Sequence, residues 1–85
     1  MSRKVETLKV ENISIMEVKT GQTIQLENDN KFYVVMVHGQ NYELIPIDLK
    51  NRITVNKYSI NKPKITHLFN KNGECLKVVK VQDNE

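Results

Sequence analysis

The chain has one cysteine, no tryptophan, three glycines and two prolines in 85 residues. Each shortage excludes something. A lone Cys75 forms no intramolecular disulfide, so the fold is not a disulfide scaffold. Three glycines at separate positions, Gly21, Gly39 and Gly73, make no phosphate-cradling loop. With only His38, His67 and Cys75 as soft ligands, far apart in sequence, there is no compact zinc pattern, and the expectation is no metal and no cofactor. No run approaches the roughly 18 apolar residues of a membrane span. The charged opening Ser2-Arg3-Lys4 is not followed by an apolar stretch, so the expected compartment is the cytoplasm and no membrane partner is expected. Nucleophile elbows, kinase signatures and paired carboxylates at telling spacings are also missing. A Cys75–His67 dyad is the one nucleophilic arrangement the chain offers. Cys75 opens an apolar strand, where a thiol packs as a small hydrophobe, so the expectation is no catalytic residue and no enzyme.

What is present is a set of short apolar runs separated by turns. At 85 residues this is one domain with a thin core. Residues 1–6 read as a flexible terminus, residues 7–81 as the folded unit, and residues 82–85 as an acidic tail. Thr7–Val10 and Ile13–Ile15 alternate and predict one irregular strand. Thr23–Glu27 alternates cleanly, with Ile24 and Leu26 inward. Phe32–His38 is β-branched and aromatic on both faces and reads as a central strand. Tyr42–Leu49 follows, its Pro46 marking an edge, a bulge or the strand's end. Arg52–Tyr58 is the next strand, Ser59–Lys64 a polar loop, and Ile65–Phe69 a strand fragment or one helical turn. Asn72-Gly73 predicts a primed hairpin turn leading into Glu74–Val81. Turns are also expected at Gly21, at Asn28–Lys31 and at Gly39–Asn41. No window carries a helical apolar stripe. The expected fold is all-β: a small SH3-like barrel or a strongly bent antiparallel sheet of five to six strands, with at most one short helical turn.

Charge is unevenly spread. Residues 1–45 hold five basic and six acidic side chains, whereas residues 46–81 hold eight basic and two acidic ones. Such a field attracts a polyanion or an acidic protein. Arg52, Lys57, Tyr58, Lys62, Lys64 and Lys71, with Phe69 nearby, form a candidate surface for nucleic acid or an acidic partner. Lysines outnumber arginines eleven to two, which favours a solvated face over bidentate recognition. Tyr33, His38 and Tyr42 form a candidate protein-contact patch around the Gly39 turn, with core packing the alternative use of the tyrosines.

Two stretches carry a family likeness. Val18–Glu27 followed by Lys31–Val35 resembles the opening of many small SH3-like barrels, with Gln22 where that pattern has Asp. Ile65-Thr66-His67 with Leu76–Val81 resembles the ending of short proteins encoded by phages and prophages of Gram-positive bacteria, with Lys62-Pro63-Lys64 where acidic residues are usual. The resemblance implies a small β-barrel of mobile-element type and assigns no catalytic residues. The expected function is a non-enzymatic binding module acting on a protein partner, as a monomer or as a homodimer through edge-strand pairing. The alternative is a nucleic-acid-binding barrel using the basic half.

Overall fold

The structure, a computed structural model, describes residues 6–27 and 31–80. Most of the turn expected at Asn28–Lys31, the acidic tail and most of the N-terminal segment expected to be flexible lie outside the described residues. Seven strands form one sheet: β1 (Leu8–Val10), β2 (Thr23–Leu26), β3 (Phe32–His38), β4 (Asn41–Pro46), β5 (Ile53–Asn56), β6 (Ile65–Phe69) and β7 (Cys75–Val79). The order across the sheet is β1-β7-β6-β2-β3-β4-β5. The all-β expectation holds, and the only helix among the described residues is a single 3-10 turn at Ile15–Glu17. Two details are corrected. There are seven strands, not five to six, because Leu8–Val10 and Ile65–Phe69 are both strands, the first paired with β7 and the second with β2 and β7. The sheet is mixed, because β1 runs parallel to β7, with Lys9 opposite Val78.

The break between β1 and β2 has a local cause. Ser14 caps the 3-10 turn: its hydroxyl accepts from the Met16 amide at 3.1 Å, and the Glu17 carboxylate accepts from the Ser14 amide at 3.1 Å. This reciprocal capping box makes a turn more favourable than a strand over Ile15–Glu17. The turn places Ile13, Ile15 and Val18 in one buried cluster with Ile24, Val35, Leu44 and Leu68. Residues 11–22 therefore cover one face of the sheet.

Strand alternation decides which residues face that cover. In β3, Tyr33 and Val35 are buried, and in β4, Tyr42, Leu44 and Pro46 are. The β3–β4 hairpin fixes the phase. His38 pairs with Asn41, leaving a two-residue loop, Gly39-Gln40. Gly39 has φ +59 at the first loop position, the signature of a type II′ turn. Asn72-Gly73 behaves differently from expectation. Only Gly73 has positive φ there, and its amide donates to the Asn70 carbonyl at 3.0 Å. The Asn70 side chain accepts from the Asn72 and Glu74 amides, both at 2.9 Å. The loop is thus a four-residue turn with a left-handed glycine, not a primed two-residue turn. The Asn70 carboxamide supplies the acceptors that a tighter turn would have lost.

One ion pair ties the cover to the sheet. Lys77 of β7 donates to the Glu17 carboxylate from the inner face. Partial burial raises the Glu17 pKa, but the bond from Lys77, the Ser14 amide and the Lys77 charge outweigh it, so the group titrates below its ordinary 4.5. A depressed carboxylate stabilises the fold above its unfolded pKa, and that contribution is lost as pH falls through the folded pKa. Between about pH 5 and pH 3 the protein is expected to lose more stability than its Glu17→Gln variant, as measured by urea denaturation at each pH. Leu44 is fully buried between β3 and β5, so Leu44→Ala is expected to cost about 2–5 kcal/mol in the same measurement.

Candidate functional site

Among the described residues no segment crosses the outward face of the sheet, and its side chains follow from the same alternation. β3 presents Phe32, Val34, Met36 and His38; β4 presents Asn41, Glu43 and Ile45. From β2 come Thr23 and Gln25, opposite Phe69 and His67 of β6 on one side and opposite Val34 and Phe32 of β3 on the other. Two phenylalanines from strands separated by β2 therefore meet above it. The Phe32 and Phe69 ring centroids are 5.6 Å apart at 61°, an edge-to-face contact. The His67 ring lies parallel to Phe69, with centroids at 5.9 Å and 9° between planes. Ile47 extends the strip. Its amide donates to the Phe32 carbonyl at 3.1 Å, and its side chain is 66% exposed. Phe32 is itself 41% exposed. Thr23, Phe32, Ile47, Phe69 and Gly73 line an open hollow of about 370 Å³. On the other side of Phe32, Lys31, Pro46, Ile47 and Asp48 line a second hollow of about 250 Å³.

The polar groups beside this strip are bonded in a defined way. The Thr66 hydroxyl donates to the Gln25 carbonyl at 3.1 Å. Its oxygen also lies 2.9 Å from His67 Nδ1. A hydroxyl has one hydrogen, so with that hydrogen on the Gln25 carbonyl, Nδ1 must be the donor of the second bond. The neutral ring is thereby fixed as the Nδ1–H tautomer, with Nε2 as the free acceptor. Cys75 lies opposite Phe69, while His67 lies opposite Val78 further along β7. The Cys75 thiol donates to the Lys77 carbonyl at 3.4 Å. Thiol and imidazole are therefore committed to different partners on different rows of the sheet.

The basic residues singled out in the sequence occupy several places. Arg52 precedes β5 at one end of the sheet and bonds Glu43 at 3.0 Å. Lys62 and Lys64 lie in the loop that returns to β6, Lys64 at that same end. Lys57 and Tyr58 leave β5 at the opposite end, the ammonium 5.1 Å from the ring centroid. Lys71 is in the β6–β7 turn, four strand positions from β5, with its methylenes over Gly21. Only Lys57 and Tyr58 are brought together as a contacting pair. The tyrosine patch resolves in favour of packing: Tyr33 and Tyr42 are 3% and 7% exposed and face the core, while His38 is at the outward rim.

Phe32 and Ile47 were not among the residues expected to act. A readable clue existed. Met36 pairs with Glu43 once the Gly39 turn sets the register, and a glutamate on that row marks it as the wet face. Phe32 shares the row's parity and must lie on the same side. No family model, curated protein or solved structure matches the chain.

The tautomer gives a direct measurement. ¹⁵N spectra of the neutral imidazole are expected to show His67 protonated at Nδ1. In Thr66→Val, which deletes the acceptor, the ring is expected to revert to the Nε2–H form.

Proposed function

We propose that this protein is a non-enzymatic binding module that holds a protein partner against the outward face of its sheet. The observation that carries this reading is the strip Phe32–Phe69–Ile47, a contiguous apolar surface on one side of a domain whose other side is filled. Exposed hydrophobic residues on monomers are ordinarily scattered, and contiguous ones mark contact sites. Aromatic side chains surrounded by a polar rim are the composition of an interface centre. Here the rim includes His67, Lys31 and Asp48, the last two 3.8 Å apart. The reading goes with a small SH3-like barrel of phage or prophage type working in the cytoplasm, as the sequence resemblance suggests.

A nucleic-acid partner is the second reading. The parallel His67–Phe69 pair favours it, because bases stack on such rings. It requires binding that weakens steeply with salt, so a flat titration of single-stranded DNA at about 50 mM salt removes it.

Photo-crosslinking in Gram-positive cells tests the protein reading. A benzophenone side chain at position 47 is expected to trap one partner. The same group at Met16, exposed on the covering segment, is expected to trap none. Equal yields from both positions, or none from position 47, would sink the proposal. The double variant Phe32→Ser, Ile47→Ser is expected to lose the partner at a stability cost of no more than about 1.5 kcal/mol, since both side chains are already partly in water.

A further inference from the structure

The sheet has two edges, and they are not equally guarded. Natural edges are blunted by charges, proline, bulges or covering segments. At one edge, β1 is three residues long with Lys9 at its centre. At the other, β5 runs Ile53-Thr54-Val55-Asn56, with no charge and no proline, in unbroken register with β4. The Lys57 amide donates to the Gln40 carbonyl at 2.8 Å, which sets the phase of that ladder. Bonded pairs alternate along an antiparallel ladder, so Ile53 and Val55 turn their backbone groups toward β4. Thr54 and Asn56 turn theirs outward, at exposed positions, the Asn56 carbonyl accepting from the Ser59 amide at 2.9 Å and the Thr54 groups and the Asn56 amide facing the open edge.

The side-chain rows are also left open at this edge. One inward row runs Val35–Leu44–Ile53 and another Val37–Tyr42–Val55. Val55 is buried, whereas Ile53 is only partly so and packs against the core. An eighth strand with apolar residues at alternate positions would lengthen both rows. Charge selects its ends. Arg52 and Lys57 bracket β5, and from Lys50 to Gly73 there is no acidic residue against six cations. Arg52 already meets Glu43, yet its side chain is 60% exposed and a guanidinium has five donors. A second copy is a poor occupant. It brings no acidic side chain to this edge, since its own residues from Lys50 to Gly73 carry only positive charge.

We propose that β5 accepts an extended segment of a partner protein by strand addition, the segment alternating apolar and polar residues and carrying acidic side chains at both ends. This surface is separate from the Phe32–Phe69 strip, so either can fail without the other.

The probe is a capped peptide alternating valine and threonine with glutamate at each end, compared with its lysine-ended counterpart by NMR. The glutamate-ended peptide is expected to slow amide exchange at Thr54 and Asn56 and to leave Phe32 and Phe69 unshifted. The lysine-ended peptide is expected to bind at least tenfold more weakly. Thr54→Pro removes the outward N–H while sparing the ladder to β4, and is expected to abolish binding; Thr54→Ala, which keeps that N–H, is expected to bind as the parent does. Lys57→Glu, which does not touch the ladder, is expected to narrow or reverse the preference between the peptides. Absence of binding, equal binding of the two peptides, protection at β1 or on the outward face instead, or undiminished binding by Thr54→Pro would each overturn the proposal. So would a dimer by sedimentation that Thr54→Pro dissolves.

Discussion

A sheet has two faces, and among the described residues only one of them is covered. That asymmetry governs the rest of the structure. Residues 11–22 cross the inner face and place Ile13, Ile15 and Val18 against Ile24, Val35 and Leu44. In a domain this small, burial of those few side chains is the main favourable term, and losing it leaves little else to hold the sheet. The Ser14 capping box and the Glu17–Lys77 pair gain their significance from this role. Each is modest alone, but together they hold the cover in the one position where its three aliphatic side chains are dry.

The consequence for function is that the outward face has to be tolerable in water or useful. Much of it is plainly wet: Thr23, Gln25, His38, Asn41 and Glu43 are all found there. Phe32 and Phe69, meeting across β2, and Ile47 just beyond β4 gather the most exposed apolar surface in one place. The edges follow the same logic. β1 is shortened and charged, whereas β5 keeps a regular, neutral strand between two cations. Strip and edge are the two places where the sheet is less protected than its own solubility would ask, and they are what a binding module needs to present.

Much of the fold was legible in the residues. Thr23–Leu26 and Phe32–His38 follow from alternation and β-branching, and the Gly39 turn from the need for positive φ. The strand count and the parallel pair were not. Leu8–Val10 has too few residues to show a period, and nothing local to it names β7, some seventy residues away, as its neighbour. The Asn70–Gly73 turn misled for a related reason. Asn-Gly is a strong local preference, but the Asn70 carboxamide captures two amides and makes a wider loop equally well bonded.

The candidate site divides in the same way. By itself the sequence determined the class of object: all-β, without paired metal-ligand spacing, and electrically lopsided, because alternation, ligand spacing and charge order are properties of the chain. It also placed Tyr33 and Tyr42 on a common hairpin, though not on which side. Only the tertiary structure decided that Phe69 and His67 join Phe32 across β2, that the tyrosine side of the hairpin is the one the covering segment fills, and that β5 is left at an edge. Each of these depends on which strand lies beside which. That choice is made by burying the greatest apolar area under a cover only twelve residues long.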